Sequence, residues 1–176
     1  MKTYPISRLH EMLVYDPNDG FLRWRATLTG TIRQGAIVGS FDNKGYIQLK
    51  LDRTHLRAHR VAWAMTYGEW PSRLLDHING HKADNRICNL RLATLSQNGA
   101  NQVRSRANTS GFKGVITSRS LVKPWAAQIG VRGRKVFLGH FRTPEEAHAA
   151  YVAAASAAFA DFAHPGAPLP PPPPGE

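Results

Sequence analysis

The chain has 176 residues, room for one ordinary domain or two or three small modules, and its 42% hydrophobic content argues against wholesale disorder. Lysine and arginine number 23 against 12 acidic residues, a formal net charge of +11. A phosphate-rich partner is the first explanation of that excess, because each neutralised phosphate releases condensed counterions.

The N-terminal stretch "MKTYPISRLHEMLVYD" has no secretory hydrophobic region, and no apolar run approaches the roughly 20 residues of a membrane span. A cytosolic setting without membrane contact is therefore expected. Residues 12–58 alternate short apolar runs with turn signals. "FLRWRA" follows "DPNDG" and "GYIQLKL" follows "DNKG", and both read as strands entered from tight turns. "GAIVGSF" between them is a further short strand. "HLRAHRVAWAMTYGEWP" changes period: Ala58, Val61, Ala62 and Met65 share a helical face, and Gly68 and Pro71 mark its end.

"RLLDHI" reads as a short strand that ends at Asp76 and His77. "NGHKADNR" is a loop rich in turn residues, "LRLAT" returns as a second strand, and "TLSQNGANQ" starts a helix capped by Thr94 or Ser96. Adjacent strand residues point to opposite faces, so Asp76 and His77 need a twist or bend to serve one site. The one cysteine, Cys88, excludes an internal disulfide and a cysteine-based zinc cage, and reads as a small core residue between apolar neighbours.

Asp76, His77 and Asn98 together offer what phosphodiester hydrolysis demands. Histidine is the natural base near neutral pH. A hard divalent cation prefers oxygen ligands and keeps several waters, so one carboxylate and one amide oxygen suffice when phosphate completes the shell. The rival reading is a hairpin whose asparagines only make turns.

From Asn98 to Ser110 the chain is polar and basic, a helix end and then a linker that carries Arg104 and Arg106. "GFKGVITS", "PWAAQIGVR" and "KVFLGHF" read as three successive strands. "TPEEAHAAYVAAASAAFADF" reads as a helix, with Thr143 as N-cap, Pro144 in the first turn and Glu146 three residues after the cap. Ala147, Ala150, Tyr151, Ala154, Ala158 and Phe159 are expected to line its packed face. The tail "HPGAPLPPPPPGE" builds no core and reads as extended or disordered.

Asp76-His77-Ile78-Asn79-Gly80, Asp84-Asn85-Arg86, Asn89-Leu90-Arg91 and Gln97-Asn98 resemble, in that order, the motif of HNH endonucleases of the phage and group I intron homing type. Their fold is the ββα-metal finger. The resemblance implies that Asp76 and Asn98 bind one divalent cation, Mg²⁺ with Mn²⁺ as a substitute, and that His77 is the general base. It implies that Asn89 bridges the loop backbone and orients His77, while Asn85 and Arg86 shape the loop or touch phosphate. It extends upstream through His59 and Arg60, His59 as a satisfied structural histidine and Arg60 as either a phosphate contact or a packed side chain. Asparagine rather than histidine closes the motif, as is common in the intron-homing branch. No small-molecule cofactor is implied, and the setting becomes a bacterial host's cytosol with a phage-encoded chain.

"GFKGV", "WAAQI", "LGHFRTPEEAHAAY" and "FADFA" resemble an AP2 domain, a three-stranded antiparallel sheet packed on one helix that presents a sheet face to the DNA major groove. Lys113, Arg119, Lys123, Trp125, Gln128, Arg132, Arg134 and Lys135 are its candidate DNA contacts. For Trp125, sheet packing is the equal alternative. Ile116, Ser118 and Gly130 stand where plant AP2 sheets place arginines, so phosphate contact and orientation are the expected roles.

The expected fold is thus α+β. It has an N-terminal β-rich region over 1–58, an HNH finger with its preceding helix over 59–102 and a linker over 103–110. An AP2-like domain over 111–164 and a Pro-rich tail over 165–176 complete it. The expected function is metal-dependent cleavage of double-stranded DNA. The alternative is a non-catalytic AP2-type regulator on a degenerate HNH scaffold.

Overall fold

In the computed structural model, which describes residues 4–102 and 108–163, the chain divides into two units, Met1–Ala93 and Thr94–Glu176. The described residues form a mixed α+β structure of small antiparallel sheets and four α-helices. The 103–107 part of the expected linker and all of the Pro-rich tail lie outside them.

The first unit opens with a helix the sequence reading did not anticipate. Helix α1 (Ile6–Met12) has no side-chain cap and no acidic first turn, and is held by Leu9, which is fully buried. Strand β1 (Leu13–Tyr15) follows directly and pairs antiparallel with β2 (Leu22–Trp24). Between them the Asp16 and Asp19 side chains accept from Asn18 N–H and Phe21 N–H, closing the turn in the manner that makes aspartate a turn residue.

A meander follows: β3 (Ser40–Phe41), β4 (Ile47–Leu51) and β5 (Thr54–Arg57), paired in that order. Ile47, Leu49 and Leu51 alternate inward along β4, as a half-buried strand requires. "GAIVGSF" is less regular than its composition suggests: it gives a single bridge from Ile37 to Arg23 and then the two residues of β3. Gly39 interrupts it at φ +111°, where a Cβ would lie 2.8 Å from the Gln48 carbonyl oxygen. "HLR" falls in β5 rather than in the following helix, with Leu56 opposite Leu49. Helix α2 (Ala58–Tyr67) packs Ala58, Val61, Ala62 and Ala64 into the core and ends on Gly68 in the left-handed region. Strands β6 (Leu74–His77) and β7 (Leu90–Ala93) form an antiparallel pair that sets Asp76 opposite Arg91 and His77 opposite Leu90. A 3₁₀ turn over Ile87–Asn89 leads into β7. Cys88 is exposed on that turn, which corrects its reading as a core residue.

In the second unit α3 (Leu95–Asn101) starts on a reciprocal capping box between Thr94 and Gln97, so Thr94 is the cap. Strands β8 (Val115–Thr117), β9 (Trp125–Val131) and β10 (Arg134–Phe141) form a sheet ordered β10-β9-β8. Helix α4 (Pro144–Phe159) begins at Thr143, whose hydroxyl accepts from Glu146 N–H. It buries Ala147, Tyr151, Ala155 and Phe159. That is a strict i, i+4 stripe, flanked by the half-buried Ala150 and Ala154, which pack against it; Ala158 is exposed, which corrects its place on the expected face. Gly114 makes the close approach of chain and helix possible: at φ +78° its added Cβ would fall 2.0 Å from the Tyr151 ring.

Candidate active site

The apolar half of "LLDHI" sets the strand, and burial continues past it: Asp76 is 4% and His77 5% exposed. Alternation along β6 sends the two side chains to opposite faces, and both faces are covered. Asp76 faces its cross-strand neighbour, with Arg91 Nε donating to Asp76 Oδ2 at 2.9 Å. His77 faces a group of rings. The His59 imidazole meets it edge-on at 5.2 Å between centroids, and the Tyr46 ring lies 6.0 Å from His77 and 5.5 Å from His59.

On its other side the His77 ring meets an amide, Nε2 standing 3.2 Å from Asn85 Oδ1. Burial pushes the His77 pKa below its ordinary value, against the raising effects of Asn85 and of the carboxylates of Asp76 and Asp84; the charge of Lys82 adds to the lowering. His77 is therefore a neutral imidazole near neutral pH, the form that accepts a proton. His59 is more strongly affected: burial, with the charges of its neighbours second, pushes its pKa down to about 3. Its Nδ1 is buried and has no hydrogen-bond partner among the described residues, so His59 is structural in its packing but not satisfied in its hydrogen bonding.

Asn89 ties the loop backbone. Its Oδ1 accepts from Asn79 N–H at 3.0 Å, its Nδ2 donates to the Asp84 carbonyl at 2.8 Å, and its own carbonyl accepts from Ile78 N–H at 2.8 Å. The group on His77 is Asn85, which is 1% exposed. Asn85 is itself gripped from the N-terminal hairpin. Tyr15 Oη donates to the Asn85 carbonyl at 2.8 Å, and Gly20 packs so closely that a Cβ there would sit 2.5 Å from Arg86 N. The "DPNDG" turn thus has a second use that composition alone does not announce.

The remaining candidates separate by environment. Arg60 is half-buried and Nη2 donates to the Pro71 carbonyl at 3.3 Å, which places it among packed arginines. Arg86 is exposed and holds Asp84 through two bonds of 2.8 and 2.7 Å. In the second unit Lys113 does not extend from the sheet. Its ammonium donates to the Ala100 carbonyl and lies 5.9 Å from the Tyr151 centroid, and burial lowers its pKa to about 8. Trp125 packs with Val115, Ala127 and Ala147, on the helix side of the sheet. Arg119, Lys123, Arg132, Arg134 and Lys135 are exposed, and Gln128 is half-buried opposite Phe137. Arg104 and Arg106 lie outside the described residues, and Asn98 sits within α3 of the second unit.

The donor chemistry at Asp76 suits a hard cation: a buried carboxylate, with water and phosphate oxygens left to fill the shell. The described residues hold no group of three or more His, Cys, Asp or Glu arranged for a metal, so a tightly caged zinc-type centre is not what they form.

Residues 56–100 match the family model described as HNH endonuclease, which supports an HNH-type nuclease. The chain is also similar to Protein 3.8 of Escherichia phage T7, 28% identical over 106 residues that span 54% of this chain and 87% of that protein. No solved structure matches. Among the described residues no helix is long and apolar enough to cross a membrane.

Proposed function

We propose that this chain is a metal-dependent DNA endonuclease of the HNH type that hydrolyses phosphodiester bonds of duplex DNA. The observation that supports it most is His77, a buried neutral imidazole with an amide on Nε2 and a carboxylate one residue earlier, inside the segment that matches the HNH family model. With Asn85 Oδ1 as the facing atom, Nε2 carries the proton and donates, and Nδ1 is the basic nitrogen. His77 then takes a proton from the attacking water, and its ring stays in register because Asn85 and the packed rings of His59 and Tyr46 leave it one orientation.

Asp76 is the carboxylate that would hold Mg²⁺ or Mn²⁺, and Asn98 is the second oxygen donor that the resemblance assigns. When bound, the cation stabilises charge on the phosphate and on the departing 3′-oxygen. Arg91 Nε donates to Asp76 Oδ2 and holds the carboxylate in place. Asn89 holds the 78–86 loop closed against β7. In the second unit, the exposed Arg134 and Lys135 on an AP2-like sheet, with Arg119, Lys123 and Arg132 in the turns between its strands, would contact the DNA backbone, with Arg86 of the loop as a further contact.

The test is cleavage of supercoiled plasmid by the purified protein. Nicked or linear product with Mg²⁺, none with EDTA, and none with His77→Ala is the expected result. Duplex binding without cleavage in Mg²⁺ or Mn²⁺, unchanged by His77→Ala, would leave the DNA-binding regulator as the correct reading.

A further inference from the structure

Beside His77 lies the Tyr46 ring, on which two cationic groups from separate stretches of the first unit converge, and none of the three belongs to the motif. Tyr46 immediately precedes β4 and is half-buried, its ring 6.0 Å from the His77 ring. Lys82, from the 78–86 loop, brings its ammonium to 5.0 Å from the Tyr46 centroid. Arg57, at the end of β5, lies 5.3 Å from the same centroid.

The hydrogen-bond account of this cluster is unbalanced toward donors. Asp42, the carboxylate of the cluster, is already committed: it pairs with Arg57 and accepts from Lys44 N–H and Tyr46 N–H at 2.9 and 2.8 Å. Arg57 is thereby neutralised and props the ring. Lys82 donates one hydrogen bond, to the Lys44 carbonyl at 3.0 Å, and an ammonium has three donors. The Tyr46 hydroxyl makes no hydrogen bond among the described residues. An exposed ammonium pinned over a half-desolvated phenol, with donors to spare and no carboxylate left to meet them, suits an anion.

We propose that Lys82 and Tyr46 form a phosphate-binding lip beside His77 that takes a backbone phosphate of the DNA strand adjacent to the one being cut. This rests on the nuclease reading. The lip accounts for two positions to which the sequence motif gives no role. It supplies positioning at the site itself, independent of the basic residues in the second unit.

The test is fluorescence anisotropy of a labelled DNA duplex in EDTA over a salt series, with wild type, Lys82→Met, Lys82→Arg and Tyr46→Phe. Loss of one phosphate contact lowers the slope of log K against log salt by about 0.9. Lys82→Met should show that loss and a weaker Kd, Lys82→Arg should recover the slope, and Tyr46→Phe should weaken Kd several-fold at an unchanged slope. Lys82 is exposed, so Lys82→Met is expected to melt with wild type, and the arginine variant separates charge from fold. Slope and Kd unchanged in Lys82→Met would overturn the lip. If wild type cleaves plasmid and Lys82→Met matches it in both assays, the lip alone fails. If wild type neither binds nor cleaves duplex DNA, the nuclease reading fails with it.

Discussion

Nε2 of His77 and Oδ1 of Asn85 face each other at 3.2 Å in the protein interior, while Asn89 is fully occupied with the loop backbone. The two asparagines therefore have different work. One orients a ring and the other closes a loop.

Asn85→Ala should lower the cleavage rate on the order of a hundredfold, the cost of misplacing a reacting group by about an ångström. Duplex affinity should stay near wild type, since Asn85 is 1% exposed and reaches no ligand directly. The ¹⁵N shifts of His77 read its tautomer independently of rate, and they should change from one dominant tautomer to a mixture. Single-turnover rates and NMR on the same variant check both.

Gly20→Ala should destabilise the first unit. The residue is held at φ +78° and its new Cβ would fall 2.5 Å from Arg86 N and 2.8 Å from the Asn85 carbonyl carbon, all backbone that cannot swing aside. Strain from the positive φ alone costs about 1 kcal/mol or more. Urea unfolding should show a lowered midpoint, and cleavage should fall further than stability because Asn85 moves with the contact.

Acid stability should carry the signature of His59. Its folded pKa is about 3, below the ordinary value of 6.5, so the unfolded chain binds the extra proton. The stability is fully present above pH 6.5 and is lost as pH falls toward 3, at about 1.4 kcal/mol for each pH unit. His59→Gln should flatten the acid limb of the stability curve by that slope. Equal slopes in the two proteins would contradict the assignment.

Arg91→Ala should be among the most damaging surface-distant changes. It removes an ion-pair partner of a carboxylate that is 4% exposed, and breaking a buried ion pair from one side is destabilising by up to about 3–5 kcal/mol. Asp76→Asn, which keeps the side chain's size and an oxygen for Arg91, should abolish Mg²⁺-supported cleavage while leaving EDTA-phase DNA binding in place. Calorimetric melting and the plasmid assay separate the two.

Much of this arrangement was legible in the sequence where local rules are strong. The capping residues Thr94 and Thr143, the Gly68 helix end and the inward alternation of Ile47, Leu49 and Leu51 follow from short-range chemistry. Helix α1 was not legible, because it lacks a cap and an acidic first turn and depends on burying Leu9. The packed face of α4 was misread at Ala158, and Ala155 was missed, because alanine-rich helices offer several equivalent faces, and the close approach of Tyr151 to Gly114 helps to pick one. Asp76 and His77 were visible as motif residues. His59 was visible through the upstream resemblance, but Tyr46 comes from a distant stretch, and the close contact of Gly20 with Arg86 spans most of the unit, so no spacing rule could announce them. Lys113 read as a basic surface residue although its ammonium turns inward to the Ala100 carbonyl.

The central claim is that His77 is the base of a phosphodiester hydrolysis, and the most direct measurement is single-turnover cleavage of supercoiled plasmid in Mg²⁺ by wild type and His77→Ala, with duplex affinity measured in EDTA. The account predicts a rate loss of about 10²–10⁴ in the variant at unchanged affinity. Equal rates in the two proteins, or no cleavage by either with full DNA binding, would contradict it.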